Sequence, residues 1–162
     1  MEYREAYEKA LQLLNVRFLS ERELRDKLRR RGAADAVLDE VVAALKEEHF
    51  LDDQRLAGDV YRYYARKGQY GHLYIANRLR RRGLPVPEDV ERPDEYALAQ
   101  ALAGRKFSYR ADEARKAARF LQYRGFSPSV IGDILEDFTG GDEEDDGGLQ
   151  GAGNVKSILT LI

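Results

Sequence analysis

The chain has 162 residues, of which 43% are hydrophobic and 35% are charged, and its formal net charge is −2. It contains no cysteine, which excludes disulfide bonds and thiolate metal sites and gives no sign of an oxidising compartment. No apolar run has the length of a signal peptide core or a membrane span, so the simplest interpretation is a cytoplasmic protein of one domain or one row of small repeats.

Three helices are predicted before residue 50. In the first, which extends to about residue 18, apolar residues recur every three or four positions. Ser20 and Glu23 form a capping box that starts the second helix, and Gly32 ends it. The third helix covers about 34–48. The residues predicted to form the apolar faces of these helices are Tyr7, Ala10, Leu11, Leu14, Phe18, Leu24, Leu28, Val37, Leu38, Val41, Val42 and Leu45.

A second group of helices begins at residue 51. Asp53 or Asp52 is predicted to cap a helix, and Gly71 precedes another helix that ends at Gly83. The prolines that follow leave room for little more than two helical turns, so the third helix of this group is predicted to be shortened. The apolar residues assigned to these helices are Leu56, Val60, Tyr64, Ile75 and Leu79.

The last helices repeat the first ones at an offset of 93 residues. Ser127 and Pro128 supply an N-cap and a first-turn proline for the last helix. Seven apolar or glycine positions coincide without a gap, pairing Leu28, Gly32, Val37, Leu38, Val41, Val42 and Leu45 with Leu121, Gly125, Val130, Ile131, Ile134, Leu135 and Phe138. We therefore predict an all-α fold of three tandem three-helix repeats, 3–50, 51–93 and 94–138, within a single body of residues 1–138.

Charge is distributed unevenly along the chain. Residues 139–162 carry a net charge of −4, which leaves +2 on residues 1–138, and residues 57–125 alone carry +7. A basic middle favours an acidic or polyanionic partner. The 139–162 segment is predicted to be a disordered, acidic, glycine-rich linker followed by an apolar tail.

The sequence contains no pattern typical of an active site. The two histidines lack the spacing of a zinc site, and there is no phosphate-binding glycine loop or nucleophile motif. Asp52 and Asp53 are better explained as helix caps than as acid–base groups. We therefore predict a protein that is not an enzyme and that binds no cofactor or metal.

Basic residues at helix ends are the main candidates for a binding site. Arginines precede Gly32, Gly83 and Gly125, and arginine can bind phosphates and carboxylates through two parallel hydrogen bonds. The alternative for each is a solvated cation that only favours the helix C-terminus. The predicted partner-binding residues are Arg29, Arg30, Arg31, Arg78, Arg80, Arg81, Arg82, Lys116, Arg119, Arg124 and Tyr70.

Tyrosines accompany the basic residues of the middle group. Tyr61, Tyr63, Tyr64, Tyr70 and Tyr74 cannot all face inward, because Tyr63 and Tyr64 are neighbours on a predicted helix. Exposed tyrosines among arginines suit a protein interface or the stacking of nucleobases. For Tyr64, a core position with its hydroxyl at the surface is the favoured alternative.

Taken together, these residues resemble the RecX family of bacterial recombination regulators. The family's leading motif is similar to residues 20–32, Ser-Glu-Arg-Glu-Leu-Arg-Asp-Lys-Leu-Arg-Arg-Arg-Gly. A more specific match is Phe-Leu-Asp-Asp-Gln-Arg-Leu-Ala at 50–57, followed by Tyr-Gly at 70–71 and Leu-Arg-Arg-Arg-Gly-Leu at 79–84. Family members usually carry glycine where His49 stands and have a longer third helix in the middle repeat.

The resemblance implies that the repeats form an elongated, curved, right-handed or solenoid-like array. It also implies a regulator that lies in the groove of a RecA filament on single-stranded DNA and inhibits its recombinase, ATPase and coprotease activities, by blocking filament growth or promoting disassembly. Single- or double-stranded DNA is a further candidate partner, and a monomer is expected. Two alternatives stay open: a helical protein that binds nucleic acid directly, and a helical interaction scaffold whose basic face is only solvated.

Overall fold

A computed structural model describes residues 1–139, and these residues form an all-α fold. They comprise eight α-helices and one short 3₁₀ helix, and no β-strand lies among them. The predicted all-α class is confirmed. Of the predicted acidic tail, everything from residue 140 onward lies outside the described residues. The elements are α1 (Tyr3–Val16), α2 (Glu21–Arg30), α3 (Asp35–Glu47), α4 (Asp53–Arg66), α5 (His72–Arg81), α6 (Glu95–Lys106), the 3₁₀ helix (Ala111–Glu113), α7 (Ala114–Tyr123) and α8 (Pro128–Thr139).

The described chain divides into two compact units. Unit 1 comprises Met1–Arg62 and Asn77–Val90, and unit 2 comprises Tyr63–Ala76 together with the described residues from Glu91 onward. The division passes through α4 and α5, so each of these helices contributes residues to both units. The repeat boundaries inferred from the sequence, after residues 50 and 93, remain predictions.

Each unit has a core of its own, and the two cores use equivalent residues. Leu28 and Leu121 are both fully buried, and so are Leu45 and its counterpart Phe138 to within 1%. Each such side chain stabilises the fold by roughly 1.5–3 kcal/mol when it is removed from water. Helices α1–α3 and α6–α8 therefore present the same apolar faces, which confirms a repeated three-helix design at the two ends of the described chain.

Capping at α2 and α8 follows the sequence prediction. Ser20 Oγ accepts a hydrogen bond from the Glu23 amide at 3.1 Å, and the Glu23 carboxylate accepts one from the Ser20 amide at 2.9 Å. This reciprocal pair is the predicted capping box. Ser127 Oγ accepts a hydrogen bond from the Val130 amide at 3.3 Å and so caps α8.

Of the two candidates for the cap of α4, Asp52 has this role. Its carboxylate accepts a hydrogen bond from the Arg55 amide at 3.1 Å. Asp53, the first residue of α4, instead accepts a hydrogen bond from the Glu21 amide at 2.9 Å. Asp53 therefore provides a hydrogen-bond acceptor for the first turn of α2, a helix that lies far from it in the sequence.

No helix forms between α5 and α6, where the sequence predicts a shortened one. Residues 84–94 are irregular, with a bend at 88–90. Three prolines in this segment remove amide donors and disfavour helical conformations in the residues that precede them. Leu84 and Pro87 are nevertheless buried, and Asp94 caps α6 through a hydrogen bond from the Ala97 amide at 3.1 Å.

Candidate partner-binding surface

Arg81, Arg82 and Gly83 form a corner at the C-terminal end of α5, and this corner contacts the start of α2 within unit 1. Ser20 Oγ donates a hydrogen bond to the Arg82 carbonyl oxygen, and the Arg22 guanidinium donates one to the Arg81 carbonyl oxygen. Gly83 has a φ of 74°, and a Cβ atom there would lie 2.8 Å from Arg22 Nε. Carbonyl groups that α5 leaves unsatisfied at its C-terminus therefore find donors in the first turn of α2.

A second corner, after α7, contacts the first turn of α5 within unit 2. The Gly71 amide donates a hydrogen bond to the Arg124 carbonyl oxygen at 2.7 Å, and the Leu73 amide donates one to the Gly125 carbonyl oxygen at 3.1 Å. Gly125 has a φ of 83°, and a Cβ atom there would lie 2.2 Å from the Tyr74 amide nitrogen. Only glycine combines this conformation with so close an approach of two backbones.

We call each of these two contacts, between the corner after one helix and the first turn of another, a junction. Each junction also includes a carboxylate from a later helix. In unit 1, Asp53 accepts a hydrogen bond from the Glu21 amide at 2.9 Å, and in unit 2, Glu95 accepts one from the His72 amide at 2.8 Å. Both amides belong to first helical turns, where no intrahelical acceptor exists and negative charge is favourable. Burial raises the pKa of Asp53, although the hydrogen bond from the Glu21 amide opposes this shift. The two junctions therefore share one design.

The corner after α2 has no such neighbour. Gly32 has a φ of 96°, and no atom of the described residues would lie within 4 Å of a Cβ atom there. All three glycines thus end helices as predicted, but only Gly83 and Gly125 also join one helix end to another. Sequence reasoning missed the junctions, although Gly71 aligns with Ser20 at an offset of 51 residues and could have indicated equivalent contacts.

Arg82 is held inside the unit 1 junction. Its guanidinium forms an ion pair with Glu23 at 3.0 Å and donates a hydrogen bond to the Phe18 carbonyl oxygen at 2.9 Å. Only 20% of the Arg82 side chain and 22% of the Glu23 side chain are exposed. Burial raises the pKa of Glu23, but the hydrogen bonds from Arg82 and the Ser20 amide outweigh this effect, so the pKa lies below its ordinary value of 4.5.

Acidification is expected to destabilise unit 1 through Glu23. A carboxyl group whose pKa is lowered by folding stabilises the folded state above its ordinary value of 4.5, and this contribution is lost as the pH falls through the folded pKa. Between about pH 7 and about pH 3, wild type should lose more free energy of unfolding than Glu23→Gln, which keeps the cap acceptor but cannot ionise. Urea unfolding followed by circular dichroism measures both losses, and equal losses would contradict the prediction.

Besides Arg82, two more of the predicted basic residues of unit 1 already have partners. Arg29 forms ion pairs with Asp26 at 3.1 Å and Asp35 at 3.2 Å. Arg31 donates a hydrogen bond from Nη1 to the Lys27 carbonyl oxygen at 2.9 Å, which is a helix C-terminal contact. Both side chains remain exposed at the surface, so a partner could still reach them, but only in competition with these contacts.

Three other arginines of unit 1 that the sequence predicts to bind a partner are exposed and unpaired. Among residues 1–139, the side chains of Arg30, Arg80 and Arg81 form no hydrogen bond or ion pair. Arg81 lies beside Arg22 at the start of α2, and Arg30 lies at the end of α2, about 12 Å further along at 1.5 Å per residue. Unpaired cations therefore lie near both ends of α2. Arg78 is exposed as well, but it is not unpaired.

The predicted basic residues of unit 2 differ in the same way. Lys116 and Arg119 are exposed on one face of α7, and neither forms a hydrogen bond or ion pair with any other described residue. Arg124 is half-buried, donates a hydrogen bond to the Gln69 side-chain oxygen at 2.8 Å and lies 5.0 Å from the Phe120 ring centroid. Its neighbours hold Arg124 in place.

Tyr70 belongs to a packed group of rings in unit 2. The Tyr70 and Tyr74 rings are stacked, with centroids 3.9 Å apart and planes 5° apart. Tyr64 contacts both rings at 6.0 Å and contacts Tyr63 at 5.2 Å, each time edge to face. The Lys67 ammonium lies 4.6 Å from the Tyr63 ring centroid. The tyrosine–cation cluster is defined here as Tyr63, Tyr64, Lys67, Tyr70, Tyr74 and Arg124.

Burial separates the five tyrosines that the sequence groups together. Tyr61 is fully buried, whereas Tyr63 is 56% exposed. Tyr64, Tyr70 and Tyr74 are half-buried within the cluster. The prediction that they cannot all face inward is therefore confirmed, and Tyr64 occupies the centre of the cluster rather than the core of either unit.

An apolar groove of unit 1 lies outside the predicted site. Helix α1 ends at Val16, so Phe18 leaves its predicted place on the apolar face of α1 and is 74% exposed. Phe18 and the half-exposed Phe50 line a groove of about 190 Å³ together with His49. His49 has a φ of 62°, in the left-handed region that glycine adopts most readily.

The part of the chain that the structure describes contains neither a candidate metal site nor a candidate membrane-spanning helix. Within residues 1–139, no group of three or more histidine, cysteine, aspartate or glutamate side chains is arranged to hold a metal ion. None of the described helices is both long enough and apolar enough to cross a membrane.

Comparison with known families identifies both ends of the described chain. A family model for the first three-helix domain of RecX matches residues 6–45, which covers most of α1–α3. A model for the third three-helix domain of RecX matches residues 93–135, which covers α6, α7 and most of α8. The two matched segments are the ones whose cores use equivalent residues.

Individual relatives agree with these matches. The regulatory protein RecX of Halorhodospira halophila is 40% identical over 75% of this chain and 81% of its own length. That of Geobacillus thermodenitrificans is 30% identical over 88% of this chain but only 57% of its own length, so this chain spans little more than half of that relative. The crystal structure of RecX from Lactobacillus salivarius has the same fold, with a TM-score of 0.69 at 24% identity over 84% of this chain and 96% of that one.

Proposed function

Because this chain belongs to the RecX family of regulatory proteins, we propose that it binds the RecA filament on single-stranded DNA and inhibits its recombinase, ATPase and coprotease activities. It acts as a cytoplasmic monomer that occupies the groove of the filament. Occupation of the groove blocks filament growth or promotes disassembly.

The observation that carries this proposal is the set of unpaired cations in unit 1. Arg30, Arg80 and Arg81 are exposed and have no partner among the described residues. Arginine in this state can form charge-assisted, two-pronged hydrogen bonds with carboxylates or phosphates. Both groups occur in a protein filament wound on DNA, so these side chains suit either component.

The proposal is tested by adding the purified chain to RecA filaments that have been assembled on circular single-stranded DNA. We expect ATP hydrolysis and strand exchange to fall as the ratio of this chain to RecA approaches one to one. If ATP hydrolysis and strand exchange are not inhibited at that ratio, the proposal is wrong. Adding the chain before and after filament assembly distinguishes blocked growth, which requires early addition, from disassembly, which does not.

Competition for DNA is the alternative route to the same inhibition. If the chain acts only by covering DNA, an excess of bare single-stranded DNA should remove it from the filament and restore ATP hydrolysis in proportion. If it binds the filament itself, inhibition should survive a modest excess. This control separates a filament regulator from a protein that merely binds nucleic acid.

A further inference from the structure

We propose that the tyrosine–cation cluster of unit 2 is a binding site for single-stranded nucleic acid, in which an unpaired base stacks on Tyr63 and the Lys67 ammonium contacts a neighbouring phosphate. The site is independent of the unpaired arginines of unit 1 and does not require RecA. Bare oligonucleotides therefore test it separately from the proposed function.

The exposed ring of Tyr63 is the platform of this site. Tyr63 is 56% exposed, although it is a large aromatic residue on α4. The edge-to-face contact with Tyr64, at 5.2 Å between centroids, restricts how the ring can turn. A base that stacks on a ring already held in place loses less conformational freedom than one that must order a flexible side chain.

Lys67 provides charge beside the platform. Its ammonium lies 4.6 Å from the centroid of Tyr63 and 5.7 Å from that of Tyr64, within cation–π range of both rings. Tyrosine hydrogen bonding and charge raise the pKa of Lys67, so this cation persists across the physiological range. A cation next to a stacking surface matches the alternation of base and phosphate along a strand.

The remaining rings keep the platform in position. Tyr64 packs edge to face against the stacked pair of Tyr70 and Tyr74. The Arg124 guanidinium lies 5.8 Å from the Tyr70 centroid and is hydrogen-bonded to Gln69. These residues are positioning residues, because they hold Tyr63 and Lys67 through Tyr64 rather than offering the most exposed surface.

The local charge favours a polyanion over a basic or neutral protein segment. Residues 63–76, the part of unit 2 that carries the tyrosines of the cluster, contain no aspartate or glutamate and include Arg66 and Lys67. Both of these basic side chains are exposed. Single-stranded nucleic acid is favoured over duplex because bases inside a duplex cannot reach an aromatic platform on a protein surface.

The test compares variants of the full chain for binding to an unstructured oligothymidylate of about 20 nucleotides, which exceeds the usual site size for stacking proteins. Fluorescence anisotropy gives the affinity. Since the chain has ten tyrosines and no tryptophan, the part of the tyrosine quenching that Tyr63→Leu removes reports stacking on this ring. An oligomer of the same length with abasic sugars keeps the phosphates and removes the bases.

Loss of the ring should weaken binding of the base-containing strand. We expect Tyr63→Leu, which preserves helix propensity and apolar bulk, to raise the dissociation constant about tenfold, whereas Tyr63→Phe should stay within about twofold of wild type. The matched control is Tyr96→Leu, on α6 of unit 2, where the tyrosine is 42% exposed and has no ring contact with any other described residue. Affinity for the abasic oligomer should be unchanged by any of these substitutions.

Loss of the charge should change the salt dependence instead. Lys67→Gln should reduce the slope of log affinity against log salt by about 0.7, the value for one phosphate contact on a single strand. The proposal is overturned if wild type fails to bind the oligothymidylate, if Tyr63→Leu binds it like wild type, or if that variant loses equal affinity for the abasic oligomer. Circular dichroism of each variant verifies that the helices are retained.

Discussion

Replacing Gly125 with alanine is expected to destabilise unit 2 by about 2–4 kcal/mol, from left-handed strain and forced overpacking together. The new Cβ atom would lie 2.2 Å from the Tyr74 amide nitrogen and 2.7 Å from its Cα atom. Backbone atoms cannot rotate away as a flexible side chain could. Relief therefore requires the two helix ends to separate, which weakens the hydrogen bond from the Leu73 amide to the Gly125 carbonyl oxygen at 3.1 Å.

Gly32→Ala is the matched control for this prediction. Gly32 has a φ of 96°, similar to the 83° of Gly125, but no atom of residues 1–139 would lie within 4 Å of a Cβ atom at Gly32. Its replacement should cost about 1 kcal/mol, from backbone strain alone. Urea unfolding followed by circular dichroism measures both free energies of unfolding. Equal losses would mean that the contact with Tyr74 does not constrain the junction.

Reversing the charge of Arg80 and Arg81 together is expected to raise the concentration needed for half-inhibition of RecA about tenfold or more. A charge-assisted hydrogen bond contributes about 1.5–3 kcal/mol, and the new carboxylates would in addition repel the anionic groups of the partner. Both side chains are exposed and, among the described residues, unpaired, so Arg80→Glu/Arg81→Glu should leave the fold intact. Arg82 is kept, because its ion pair with Glu23 belongs to the junction.

A second double variant controls for net charge. Arg4→Glu/Arg62→Glu also reverses two exposed arginines of unit 1, on α1 and α4, and changes the total charge by the same amount. ATP hydrolysis by RecA filaments is the readout for both. If the two double variants lose inhibition equally, the effect is one of overall charge, and the local role of Arg80 and Arg81 is wrong.

Predictions that depend on residues close together in the sequence agree well with the structure. The capping box of Ser20 and Glu23 closes over three residues, and the burial of Leu38 and its counterpart Ile131 follows from the helical period alone. Phe18 shows where this reasoning stops, because the periodic pattern continues past Val16 while the helix does not. A pattern of side chains records which face is apolar but not where the backbone leaves the helix.

Whether a predicted binding residue is available to a partner depends on tertiary contacts, which the sequence does not show. The eleven predicted partner-binding residues are basic, or aromatic beside basic residues, and the structure divides them by their partners. Arg82 faces Glu23, which lies 59 positions away, and Arg124 faces Gln69, which lies 55 positions away. Nothing local distinguishes either from the unpaired Arg80.

By itself, the sequence determined the all-α class, the helix caps, the repeated apolar faces and the RecX resemblance, because each of these is expressed over one or a few helical turns. Tertiary structure alone decided that Gly83 and Gly125 join helix ends while Gly32 does not. It also decided which arginines are already neutralised. The physical reason is that a close backbone approach or an ion pair requires two segments distant in sequence to meet, and only folding brings them together.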